Sequence, residues 1–83
     1  MYSIEFSVTA EKQLYKLNTD IQGRVISTLE RIRRTPYSHV RRLVGMPYFR
    51  LRVGDYRVIL DIREDKLLIF VIELAHRKNI YDF

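Results

Sequence analysis

The chain has no cysteine, and its 83 residues include only two prolines and three glycines. Without cysteine there is no disulfide staple and no thiolate-ligated metal, which sets aside small secreted scaffolds and Cys-type zinc sites. No apolar run approaches the roughly 18 residues that a membrane-spanning helix needs, and the N-terminus lacks a signal-peptide layout. A cytoplasmic protein with no membrane partner is therefore expected. Internal repeats, low-complexity tracts and linkers are also missing. The 47% of hydrophobic residues is enough for one modest core, so residues 1–83 read as a single domain.

Charge of one sign is concentrated in one place. Between Arg31 and Arg57 eight arginines stand against one acid, Asp55, a local charge of +7; the whole chain carries +5, which leaves −2 for the remainder. Arginine grips phosphate with two parallel N–H groups and stacks on bases, so the bias favours nucleic acid over diffuse attraction to a membrane. An acidic protein surface would meet the same charge class.

Along the chain, Tyr2, Ile4 and Phe6 alternate with polar residues and read as a first strand. Thr9 is a candidate N-cap for a short helix with Ala10, Leu14 and Leu17 on its apolar stripe, ended by Asn18. Thr19 and Gln22 have capping-box spacing and open a second helix, in which Ile21, Val25, Leu29 and Ile32 recur at three- to four-residue intervals. Thr35-Pro36 stops it. Residues 35–47 hold both prolines and Gly45 and read as an irregular basic loop.

The next stretch, Tyr48 to Arg57, organises the rest. Phe49, Leu51 and Val53 fall on one side of a strand and Tyr48, Arg50 and Arg52 on the other, before Gly54-Asp55 and a second apolar run. Glycine first in a two-residue loop suits a type II′ hairpin turn, which sets Val53 opposite Tyr56, Arg52 opposite Arg57 and Leu51 opposite Val58. Like charges placed directly opposite are unfavourable, so the face carrying Arg50, Arg52 and Arg57 reads either as an anion site or as guanidiniums splayed into water. Glu64-Asp65 makes the next turn. Leu67 to Leu74 is apolar almost throughout, as suits a central strand, and simple register would lay Phe70 and Ile72 beside Ile59 and Arg57 as an apolar floor. The expected fold class is α+β: a strand, a helical hairpin, then a three-stranded antiparallel meander, forming one small twisted sheet packed on two helices.

Arg42-Leu43-Val44-Gly45, the core from Tyr48 to Leu60 and the terminal His76-Arg77-Lys78-Asn79-Ile80-Tyr81 together resemble the RelE branch of the RelE/ParE toxin superfamily, over nearly the whole chain. The resemblance implies a toxin of a type II toxin–antitoxin pair that enters the ribosomal A site and cuts messenger RNA by 2′-hydroxyl attack. It implies no cofactor and no metal. Its partners would be a RelB-like antitoxin, with a heterotetramer as one assembly open to the pair, together with the ribosome and its message. Arg57 matches the family's phosphate-gripping arginine, Arg77 its second catalytic arginine and Tyr81 its terminal, substrate-orienting tyrosine. Arg52 matches a basic position, while Arg50 and Tyr48 stand where the family carries lysines. Arg41 and Arg42 suit RNA backbone contacts.

Arginine is a poor proton acceptor near neutral pH, so this set lacks a general base. His76 is the first candidate for it, and it also fits a neutral histidine at a strand end. Glu73 is another candidate if it faces the arginines, and His39 reads as a surface or RNA contact. Two other readings stay open: a ParE-like toxin that poisons DNA gyrase without cutting RNA, and a catalytically weak homologue that binds RNA or antitoxin.

Overall fold

The computed structural model describes residues 1–76. Strand β1 (Ser3–Phe6) is followed by helices α1 (Val8–Tyr15) and α2 (Thr19–Arg31), then by strands β2 (Arg41–Arg42), β3 (Phe49–Val53), β4 (Tyr56–Arg63) and β5 (Leu68–His76). Single 3-10 turns fall at Pro36–Ser38 and Glu64–Lys66. The sheet runs in the order β1-β5-β4-β3-β2, with β1 parallel to β5 and every other pair antiparallel. The α+β class is as expected, and β5 takes the central place its apolar run requires. The basic loop adds a strand that its sequence hides: β2 is only two residues long, too short to show alternation, and is held by pairing Arg41 with Arg50 and Arg42 with Phe49.

Both helices lie on one face of the sheet. The expected stripes supply their buried sides, Ala10 and Leu14 from α1 and Val25, Leu29 and Ile32 from α2, against Leu51, Val58, Leu60, Ile69, Val71 and Leu74. The helix starts differ from the expected ones. Ser7 caps α1 in place of Thr9, its hydroxyl accepting from the Ala10 N–H, and Asn18 opens α2 by accepting from Ile21. Gln22 donates to the Leu17 carbonyl, so the Thr19–Gln22 capping box does not form. Asparagine is as good an N-cap as threonine, and one residue decides the boundary.

The expected register of the β3–β4 hairpin is found: Val53 opposes Tyr56, Arg52 opposes Arg57 and Leu51 opposes Val58. Gly54 has φ +58°, while Asp55 is not among the positive-φ residues, the pattern of a type II′ turn. The apolar floor is not found. Between Ile59 and Leu60 the register against β5 slips by one, so that Glu73 opposes Ile59, Ala75 opposes Arg57, and Phe70 opposes Asp61; Ile72 is the extra residue of a β-bulge. The bulge frees backbone groups, and α1 satisfies them. The Ser7 hydroxyl donates to the Ile72 carbonyl at 2.7 Å, and the Leu74 N–H donates to Gln13 Oε1 at 2.8 Å.

Candidate functional site

Because cross-strand partners share a face, the sheet has a helix side and an open side, covered by no helix among the described residues, and the pairing assigns each arginine. Arg41, Arg50, Ile59 and Glu73 form one row across the open side, and Arg52, Arg57 and Ala75 form the next. A third row, Asp61, Phe70 and Glu5, lies beyond the bulge. The open face is therefore polarised: cations gather at the β2–β3 edge and carboxylates toward β5 and β1, with Ile59 between them, only 1% exposed. Glu73 faces the arginine side, as its candidacy required, but two strands away from Arg50.

A cleft of about 220 Å³ opens at the cationic edge, lined by His39, Arg41, Arg50 and Arg52. Among the described residues neither Arg50 nor Arg52 enters an ion pair; the two salt bridges found there are Arg33–Glu30 and Arg63–Asp61, each 2.8 Å. The Asp61 carboxylate holds the Arg63 guanidinium more firmly charged than usual, first through a hydrogen bond and then through its charge. Asp61 is thus engaged with Arg63 and does not neutralise the cleft. Arg57 is half-buried, with its Nε shielded from solvent, and sits directly across from exposed Arg52.

The other predicted residues divide. Tyr48 shares the alternation of Arg50 and Arg52, and its carbonyl accepts from the Leu43 N–H at 3.0 Å, which extends the β2–β3 ladder by one residue. Arg42 goes the other way: paired with Phe49 on the helix side, it stacks its guanidinium carbon 5.6 Å from the Phe49 ring centroid, and Tyr37 meets the same ring edge-on at 5.5 Å. The adjacent arginines of β2 therefore serve opposite faces. His76 pairs with Tyr56 and packs edge-on against its ring at 5.4 Å, so it too lies on the helix side, away from Arg50, Arg52 and Arg57. Arg33 ties the end of α2 to β1, donating from Nε to the Tyr2 carbonyl at 2.7 Å. Arg77 and Tyr81 fall outside the described residues.

His39 is the residue that sequence reasoning underrated. Pro36 is fully buried and the half-buried Val40 packs against the core, so the segment is pinned on both sides of it. His39 and Arg41, exposed on either side of Val40, both line the cleft. That local alternation was the available signal.

A small α+β domain with an arginine-lined cleft at one edge of its open sheet face, and no metal cluster among the described residues, has the makings of a binder or cleaver of phosphodiesters. Comparison with known proteins is specific. Residues 4–81 match the family model described as the ParE toxin of the type II toxin–antitoxin system, parDE, and the chain belongs to that family. The mRNA interferase toxin RelE of Escherichia coli K12 is 26% identical over 81 residues, covering 94% of this chain and 85% of the relative. Among solved structures, the intact E. coli RelBE toxin–antitoxin complex matches with a TM-score of 0.78 at 25% identity, over 92% of this chain and 96% of that one. The RelBE2 toxin–antitoxin complex of Mycobacterium tuberculosis matches with a TM-score of 0.82 at 25% identity, over 92% and 98%.

Proposed function

We propose that this type II toxin is a ribosome-dependent endoribonuclease of the RelE kind, cutting messenger RNA in the A site. The observation that carries this reading is the two adjacent rows of opposed cations, Arg41 with Arg50 and Arg52 with Arg57, of which Arg41, Arg50 and Arg52 line one cleft on the open face. Guanidiniums gathered in this way are suited to a phosphodiester whose charge grows as the 2′-oxygen attacks it. In this mechanism Arg41, Arg50 and Arg52 bind the scissile phosphate and its neighbours, and Arg57 stabilises the phosphorane. Arg77 and Tyr81, by their match to the family's terminal block, add a second stabilising cation and a nucleotide-orienting ring. No step calls on a metal ion.

The partner that restrains it is a RelB-like antitoxin, for which an acidic segment would complement the cleft, and the site of action is the cytoplasm. A second reading, gyrase poisoning, draws on the parDE description of the matching family model. Mapping message ends by primer extension after brief expression of wild type and Arg57→Ala separates the two. Codon-phased cuts with the wild type alone support the endoribonuclease; intact messages with stalled replication support the gyrase poison.

A further inference from the structure

We infer that His39 is the proton-transfer group of the cleft, the partner that the arginines need and cannot replace. This rests on the endoribonuclease reading above. The attack forms a bond from the 2′-oxygen to phosphorus and breaks the bond from phosphorus to the 5′-oxygen, leaving a 2′,3′-cyclic phosphate and a 5′-hydroxyl. The 2′-hydroxyl proton must go to a base, and the departing 5′-oxygen must receive one. Arginine holds its proton throughout, whereas imidazole exchanges one readily near neutral pH.

Geometry singles out His39. It lines the same 220 Å³ cleft as Arg41, Arg50 and Arg52, and among the described residues no carboxylate lines that cleft. His76 lies on the helix side, against Tyr56. Glu73 is on the open side but on β5, separated from Arg50 by the buried Ile59 on β4. His39 is also held in place: its backbone N–H donates to the Pro36 carbonyl at 3.2 Å, and its Nε2 lies 3.5 Å from the Thr35 hydroxyl. With Nε2–H donating to the Thr35 hydroxyl oxygen, the neutral ring keeps Nδ1 as the acceptor for the substrate proton. The charged groups facing it in the cleft are Arg41 from β2 and Arg50 and Arg52 from β3. In the reaction His39 accepts the 2′-hydroxyl proton as the phosphorus bond forms, and the 5′-oxygen takes its proton from water.

The test is single-turnover cleavage of a defined message on translating ribosomes by wild type, His39→Ala and His39→Gln, across a pH series, with ribosome binding measured in parallel by sedimentation. Both variants should slow cleavage by about 100-fold, within the range of a positioned acid–base group, and should bind ribosomes as the wild type does. The wild-type rate should rise with pH, and that limb should be absent in both variants. Added imidazole should restore part of the His39→Ala rate. Cleavage within a few-fold of wild type, retention of the pH limb, or loss of ribosome binding in step with cleavage would each overturn the assignment. A wild type that leaves messages intact overturns the endoribonuclease reading instead, and the inference with it.

Discussion

Arg52 and Arg57 oppose each other across the β3–β4 hairpin, each the direct cross-strand partner of the other. Side chains so placed have Cβ atoms about 5 Å apart, where like charges destabilise a sheet. Arg52 is exposed and forms no ion pair among the described residues, so the fold gains nothing from its charge. Arg52→Gln should therefore raise stability by a few tenths of a kcal/mol, about the scale of one such pair, while weakening RNA binding. Urea denaturation alongside RNA titration checks both signs. A variant that loses stability as well as binding would mean that Arg52 supports the sheet.

The bulge at Ile72 predicts a stability effect far from the cleft. Ser7 both caps α1 and donates to the Ile72 carbonyl, and Gln13 accepts from the Leu74 N–H, so α1 holds the strand at the point where its register slips. Ser7→Ala should cost about 1–2 kcal/mol, the range of a lost N-cap. Gln13→Ala should cost about 1–3 kcal/mol by leaving an inner-strand N–H unsatisfied. Chemical denaturation of each measures this. Amide exchange at Leu74 should accelerate in Gln13→Ala before exchange elsewhere.

Much of this was legible in the sequence because the signals were local. The type II′ hairpin fixed the Arg52–Arg57 pairing through Gly54-Asp55 alone, and the helix stripes named the buried residues through spacing alone. The bulge was not legible: nothing in Leu68 to His76 marks Ile72 as the extra residue, and the groups that satisfy the backbone around it, Ser7 and Gln13, lie more than 60 positions away. That one slip replaced Ile72 with Glu73 beside Ile59 and moved His76 to the helix side, altering the candidate bases more than any error in a helix boundary. His39 reads from the sequence as a surface or RNA contact; that it shares a cleft with Arg50 and Arg52 depends on β2, whose two residues pair with β3 only in the folded sheet.

Two turns carry backbone strain of opposite kinds. Gly54 sits at φ +58°, and a Cβ there would lie 3.3 Å from an Arg24 guanidinium nitrogen, a flexible neighbour that can yield. The cost of Gly54→Ala is thus mainly conformational, about 1–3 kcal/mol for a non-glycine residue held at a sparsely populated positive φ. Leu67 lies in the left-handed helical region, φ +48°, without being glycine, and its side chain is about half exposed. Leu67→Gly should stabilise by about 0.5–1 kcal/mol, because the strain relieved exceeds the added freedom of the unfolded chain. Thermal melts of both variants should move in opposite directions.

Arg41 and Arg42 provide the sharpest separation of binding from packing, because they are neighbours with opposite assignments. Arg41 lines the cleft, whereas Arg42 stacks over Phe49 on the helix side. If the cleft holds the RNA backbone, Arg41→Ala should weaken binding to a short single-stranded RNA and reduce the slope of log affinity against log salt by about 0.7, the value for one lost phosphate contact. Arg42→Ala should leave that slope nearly unchanged and instead lower stability by about 0.5–1 kcal/mol, the scale of an exposed cation–π contact. Both variants remove one positive charge, so general electrostatic attraction predicts equal loss from each. Unequal salt slopes, with the stability cost falling on Arg42→Ala, can arise only if the two faces of β2 do different things. Equal slopes would place the RNA across both faces and remove the cleft from its central role.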